Sequence, residues 1–564
     1  MTKQLKKILL VTMTILLVIP FSVFANPQSP DSPDEIVPVT ILHTNDFHGR
    51  LETDSAGRGG AALLGTAINE IRAVEDNVVL LDAGDVALAG PPISQLVGGE
   101  STIEVFNALG YELSVLGNHE FDMGQTHLQQ MITWADFPWL GANVFVEGGA
   151  DWQMPPWTQP YEILSIAIPG DTVEIGVIGV ANAATDSLTL AGVTDGLVFG
   201  DPTETIVHYY DILIDDVGVD FVIVVAHIGT DDETAGGVTY EGLVTIAQNL
   251  EAAGKSVPLI IGGHQHQALI DPVIEGDTYI VQAGNYGRYL GRVDLTYNTD
   301  TGEIAIVSTE LIPILSTSFT SDPAIQAIVD DWADAIAPIV NAPVAETEIP
   351  LTRDYNNESV MGNIVTDSML WKANQLETEP VHIAFTNPGG LRADIPENPD
   401  ADFPYTITWG DTFNVLPFMN TLVIMDLTGT QIQEILNQSA ALPRGILQVS
   451  GLSHYWYNNT LSDAANYYGA YDIMVDGEPL VMDQTYRVVT NNFLAGGGDF
   501  WVTFLEGTNV NNTFFDMQEA FVEYLELIDP VVQEDIVMGR ITYQHRIWMP
   551  LIIAGEFPVP VPAE

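Results

Sequence analysis

The chain has 564 residues, 46% of them hydrophobic, and sets 76 acidic against 16 basic side chains, for a formal net charge of −60. So large a negative excess repels nucleic acid and acidic lipid and excludes a nucleic-acid polymer as partner. With no cysteine there are no disulfides, and the length allows more than one domain, each with a large core.

Three of the few lysines, Lys3, Lys6 and Lys7, precede an apolar run over residues 8–24, and Val23-Phe24-Ala25 ends it with small residues at cleavage spacing. This pattern predicts a signal peptide over 1–25, with an uncleaved anchor as the competing reading. A linker rich in proline, serine and aspartate follows over 26–37. No other stretch is long and apolar enough to span a bilayer. The expectation is an exported protein with no stable membrane span after cleavage, whether secreted, periplasmic or associated with the cell surface.

From 38 to 315, apolar strand-like runs alternate with amphipathic stretches at 60–73, 126–134, 203–216 and 240–253, the pattern of an α/β domain. An amphipathic segment at 321–340 begins at Asp322-Pro323 and reads as a connector helix within 316–341. A second α/β domain is expected over 342–545, and a loose tail containing Pro558, Pro560 and Pro562 over 546–564.

Five apolar runs of the first domain stop at residues that bind metals. The runs end in Asp46-Phe47-His48, in Gly84-Asp85, in Asn118-His119 with Asp122 following, in His227, and in His264-Gln265-His266. Open parallel sheets collect their ligands at the carboxyl ends of strands, so these five ends predict one shared site. Five of the eleven histidines lie at these run ends, an arrangement an ordinary core would not produce.

Carboxylate and imidazole together suit Zn, Mn or Fe better than Ca. Asp85 has two oxygens and can bridge two ions. Asn118, His227 and His264 would complete one ion, and Asp46, His48 and His266 the other. Such a pair is the usual clamp on a phosphoester, activating water and stabilising developing charge. His119 is then free to protonate a leaving group, with Asp122 holding its other ring nitrogen. Against the −60 field, a phosphate ester would need positive charge supplied locally by the metals and a few arginines.

The motifs Asn45-Asp46-x-His48, Gly84-Asp85, Gly117-Asn118-His119-Glu120, Ala226-His227 and Gly263-His264-Gln265-His266 resemble those of calcineurin-like metallophosphoesterases. In order and separation they resemble most the secreted 5'-nucleotidases, with the UDP-sugar hydrolases and 2',3'-cyclic nucleotidases. The resemblance implies a metallophosphoesterase β-sandwich flanked by helices, two divalent metal ions, a connector helix and a second α/β domain that recognises the nucleotide. One departure is His266, where many members carry Asn or Gln; it bears on metal preference.

The second half supplies fitting residues. Thr386-Asn387-Pro388-Gly389-Gly390-Leu391-Arg392 is a strand, a glycine turn and an arginine able to fork onto phosphate. Phe418, near Asn420, and Phe493, near Asp499, each stand beside turn residues. Aromatic faces stack on any base, and the resemblance makes these two rings a base-stacking pair with Asp499 on the ribose. A second departure is Asn357, where family members commonly have an arginine before the glutamate matching Glu358; Arg353, a few residues upstream, is the candidate to replace it.

The resemblance thus implies hydrolysis of nucleoside 5'-monophosphates, extending to di- and triphosphates, with a hinge about the connector. The alternatives are a UDP-sugar or 2',3'-cyclic nucleotide hydrolase and, more remotely, a non-catalytic exported protein that binds nucleotide or metal.

Overall fold

The structure is a computed structural model that describes residues 36–168, 171–190, 192–235, 238–441, 444–459 and 467–544. The expected signal peptide, nearly all of the linker and the tail lie outside these residues.

Two six-stranded sheets form the first half. One has the order Ile304–Pro313, Tyr289–Asn298, Ile36–Thr44, Val78–Asp82, Leu113–Val115, Trp139–Leu140. The other runs Val273–Glu275, Thr278–Val281, Leu259–Ile261, Phe221–Ala226, Asp171–Val180, Tyr161–Ile168. The four strands from Ile36–Thr44 to Trp139–Leu140 are parallel, as are Asp171–Val180, Phe221–Ala226, Leu259–Ile261 and Thr278–Val281. The remaining strands, Tyr289–Asn298, Ile304–Pro313, Val273–Glu275 and Tyr161–Ile168, pair antiparallel.

Alternation along each strand decides which side chains meet. Ile41, Val79, Leu81 and Val115 point between the sheets and pack on Val177, Ile223, Val225 and Ile261. Their neighbours Leu42, Leu80 and Leu116 point outward under the helices Ala61–Arg72 and Glu100–Leu109. Val222, Val224 and Ile260 do the same beneath Pro202–Asp211 and Leu243–Ala252. Strands covered on both faces must be apolar throughout, which is why the sequence shows unbroken runs rather than alternation. Each fully buried Val, Leu or Ile contributes about 1.5–3 kcal/mol over an exposed one. The stretch expected as one helix over 203–216 is an α-helix to Asp211 that continues as a π-helical segment, Ile212–Val217.

The connector is the helix Pro323–Val340, started by the Asp322 carboxylate, which accepts the N–H groups of Ala324 and Ile325. Its Ile325, Val329 and Ile336 are buried in the core under the first sheet. Beyond it, a five-stranded sheet has the order Gln448–Ser450, Ile383–Thr386, Thr485–Asn491, Thr421–Thr428, Thr508–Asp516. The helices Val360–Leu376 and Met517–Leu527 share one core with this sheet, and Gly429–Ala441 lies in the core on its other side.

Candidate active site

Parallel strands running the same way bring their carboxyl ends to one rim, and side-chain bonds lock those ends together. Asp82 accepts hydrogen bonds from the hydroxyls of Thr44 (2.7 Å) and Ser114 (2.9 Å) and from the Gly84 N–H (2.9 Å), tying three strand ends. Burial pushes its carboxyl up to about 7 against the pull of those donors. Glu120 accepts the N–H groups of Asp85 and Gly117 on one oxygen and that of Val86 on the other. It therefore fixes the turn carrying Asp85 against the turn carrying Asn118.

The ligand-type residues leave the strands through backbone that few side chains adopt. Asp46, His48, Asp85, His264 and His266 all have positive φ, between 50° and 71°. Each such residue costs of order 1–3 kcal/mol, and the fold imposes five in one place. The turns must also approach closely. A Cβ at Gly117 would lie 2.2 Å from an Asp85 carboxylate oxygen, and one at Gly84 would lie 2.8 Å from His227 Nδ1.

Two overlapping groups of side chains could each hold a cation: Asp46, His48 and His266, and Asp46, Asp85 and His227. The hydrogen bonds fit that use. His227 Nδ1 donates to the Ala83 carbonyl (2.8 Å), which leaves the Nε2 lone pair 3.1 Å from an Asp85 oxygen. That Nε2 is buried and has no hydrogen bond. A lone pair facing a carboxylate in a buried site calls for a positive centre between them. Burial opposes charge on His227, yet the Asp85 and Asp46 carboxylates outweigh it and raise its pKa to about 10, so the position favours positive charge, whether a proton or a metal ion. His48 likewise donates Nδ1–H to the Leu88 carbonyl (2.9 Å) and turns Nε2 toward His266 and Asp85. Asn118 Oδ1 and His264 Nδ1 stand 3.1 Å apart on the other side. The donor set thus fits divalent cations.

His119 stands apart from these groups. Its Nδ1 donates to Asp122 (2.8 Å), and its backbone N–H donates to Asp85 (2.9 Å). Burial lowers its pKa, but the Asp122 and Asp85 carboxylates outweigh burial and raise it to about 9, so the ring carries a proton to give.

A cavity of about 210 Å³ opens here. Asp85, Asn118, His119, Asp122, His264 and His266 line it from the first half. Asn387, Gly390, Arg392, Phe418, Asn420, Phe493 and Asp499 line it from the second. The Phe418 ring stacks on His119 (centroids 5.8 Å apart), and the Arg392 guanidinium lies 5.6 Å from the Phe418 ring centre. Asn387 donates to Asp499 (3.1 Å), fixing a carboxylate on the cavity wall.

The comparisons agree with this geometry. Residues 39–268 match the calcineurin-like phosphoesterase family, and 338–506 match the 5'-nucleotidase C-terminal domain. The chain is 31% identical to the cell wall protein Lmo0130 of Listeria monocytogenes, covering 93% of this chain and 71% of that protein. It is 27% identical to a 5'-nucleotidase of Vibrio vulnificus, over 92% and 96% of the two chains. A 5'-nucleotidase precursor from Thermus thermophilus superposes with a TM-score of 0.73 at 28% identity, covering 90% of this chain and 99% of that one. The chain belongs to the 5'-nucleotidase family of calcineurin-like phosphoesterases. It is a metal-dependent phosphoester hydrolase.

Arg353 is not among the residues lining the cavity; its Nη1 donates to the Leu391 carbonyl (3.0 Å) and its Nε faces Asp394 (3.8 Å). Asn357 donates to Asp354 (3.1 Å). The second guanidinium on the cavity wall belongs to Arg444.

Leu188, Thr189, Leu190 and Tyr355 also line the phosphoesterase cavity and had no sequence signal. Tyr286 was missed as well. It accepts a hydrogen bond from Arg392 Nη2 (3.1 Å), with the Arg50 and Arg288 guanidiniums 4.7 and 5.1 Å from its ring centre. Burial raises its hydroxyl, but Arg392 and the other nearby arginines outweigh that and lower it. Tyr286 thus anchors Arg392 from the opposite half. Tyr286→Phe is expected to raise KM for a nucleotide about tenfold, the worth of a hydrogen bond to a charged group, with a smaller change in kcat. An unchanged KM in steady-state kinetics would remove Tyr286 from this role.

Proposed function

We propose that this chain is an exported nucleotidase that releases phosphate from nucleoside 5'-monophosphates and, more broadly, from di- and triphosphates. The observation that carries the reading is the shared cavity, with metal-ligand side chains and His119 on one wall and Phe418, Phe493, Asp499 and Arg392 on the other. Export rests on the leader at 1–25.

Asp46, His48 and His266 would hold one divalent ion and Asn118, His227 and His264 the other, with Asp85 between them. When bound, the ions would supply activated water and neutralise the charge that develops at phosphorus. The chain's own residues do the rest. Phe418 and Phe493 hold the base, and Asp499, fixed by Asn387, accepts from ribose hydroxyls. Arg392, held by Tyr286, orients the phosphate by a charge-assisted fork. His119 donates its Nε2 proton to the departing 5'-oxygen, while Asp122 on Nδ1 keeps the ring aimed and protonated. The connector helix, packed on the first half, is the element about which the second half would turn to admit substrate and release nucleoside.

The test is phosphate release by protein that has been chelated and refilled with Mn or Zn. The substrates are AMP, ADP, 2',3'-cyclic AMP and UDP-glucose, the last with a phosphatase added to reveal its products. The expected outcome is metal-dependent turnover of AMP. Turnover confined to UDP-glucose or the cyclic ester would overturn the monophosphate assignment. No turnover of any of the four by ion-loaded protein would overturn the nucleotidase reading itself.

A further inference from the structure

A hairpin of the first half, Glu233–Ala235 paired with Val238–Tyr240, follows the turn that carries His227. Its Glu233 carboxylate faces two ways. One oxygen lies 3.6 Å from His264 Nε2, and the other forms an ion pair with Arg444 Nη2 across the cavity. Arg444 comes from the second half, with Nε 4.0 Å from an Asp499 oxygen and its guanidinium 5.4 Å from the Phe500 ring centre.

Two features make this pair more than a structural contact. Arg444 Nη2 is buried and has no hydrogen-bond partner among the described residues, so charge alone ties it to Glu233. Arg444 also lines the cavity, where Arg392 supplies the second arginine, while Glu233 stands behind it beside His264. In a chain of net charge −60, Arg444 is held there between two carboxylates, one from each half. A phosphate group carries more charge than a carboxylate and matches the guanidinium fork with two parallel hydrogen bonds, so it competes well for such an arginine.

We propose that Arg444 is a specificity-determining residue: the phosphate of a nucleotide replaces Glu233 on its guanidinium, so the Glu233–Arg444 pair is a gate that nucleotides open and neutral nucleosides do not. The inference rests on the nucleotidase reading. It assigns Arg444 a phosphate contact beside that of Arg392 and gives the cavity a means of telling substrate from nucleoside product. When the phosphate leaves, Glu233 recovers its partner and the nucleoside keeps only its stacking contacts.

The test is equilibrium binding to the full, ion-loaded chain by calorimetry, using two probes. One is the phosphonate analogue of AMP in which a methylene carbon replaces the 5'-oxygen, so that it is not hydrolysed; the other is adenosine. R444A is expected to weaken the phosphonate about 30-fold and to leave adenosine unchanged. R444K, which keeps the charge and loses the fork, should fall between R444A and wild type. E233Q should strengthen the phosphonate, by up to about fivefold, again without affecting adenosine.

If R444A weakens both probes equally, or neither, the inference is overturned. The same holds if E233Q weakens the phosphonate as R444A does, because Glu233 would then be a support rather than a competitor. If wild-type protein binds neither probe, the nucleotidase reading falls and this inference with it. That outcome is distinct from one in which wild type binds both and only the arginine effect is missing.

Discussion

His119→Gln is expected to lower kcat on AMP by about 10²–10⁴-fold, the usual range for removing a general acid, while bound-ion content stays at the wild-type level. His119 belongs to neither cation-holding group, its Nδ1 is committed to Asp122, and its ring faces Phe418 inside the cavity. Glutamine keeps a planar polar group against Phe418, so KM should move little. Asp122→Asn supplies a second check. The Asp122 carboxylate is the leading influence raising His119, so its loss should shift the alkaline limb of the kcat profile to lower pH. Leaving-group acidity separates the roles further, because an ester whose leaving group needs no proton should lose much less rate in His119→Gln. An equal loss on both kinds of ester, or a fall in metal content, would remove His119 from the acid role.

Asp85→Asn is expected to act on the metal instead. Asparagine tolerates the left-handed backbone at this position, where φ is 56°, so the substitution changes charge without adding backbone strain. Asp85 faces His227 at 3.1 Å and His48 at 3.7 Å, and it accepts the His119 N–H. Losing its charge leaves the His227 lone pair opposite a neutral amide. Affinity for at least one ion should fall by more than about 100-fold, since changes to mere outer-shell partners already cost 10–100-fold. Activity at low metal should be lost and partly recovered at high Mn or Zn. Full ion occupancy by elemental analysis in Asp85→Asn, together with low activity, would mean that Asp85 acts elsewhere.

Much of this site was legible before any coordinates because the sheet writes itself into the sequence. Strands buried on both faces are continuous apolar runs, and a run that stops at Asp, Asn or His has nowhere to place that residue except the rim. Asp46, Asp85, Asn118, His227 and His264 were readable on that ground alone. Phe418, Phe493 and Asp499 were less so, because a phenylalanine beside a turn is usually core; the family resemblance decided them. Arg444, Glu233 and Tyr286 were not legible. Each gains its role from the opposite half of the molecule, and no local spacing encodes a contact between residues 211 positions apart, such as Glu233 and Arg444. Arg353 shows the converse. It stands near Glu358 in sequence, but its side chain turns to the Leu391 carbonyl and Asp394.

The left-handed backbone at Asp46, His48, Asp85, His264 and His266 has an evolutionary consequence. At about 1–3 kcal/mol each, these five conformations together are comparable to the whole net stability of a typical domain. Metal binding would offset part of that cost, and in the chain alone the hydrogen bonds of Asp82 and Glu120 and the surrounding packing must offset all of it. Selection for heat resistance alone, applied to metal-poor protein, would therefore favour glycine or asparagine at these positions and discard the chemistry. Any effort to harden this scaffold must therefore screen for turnover as well as for melting temperature.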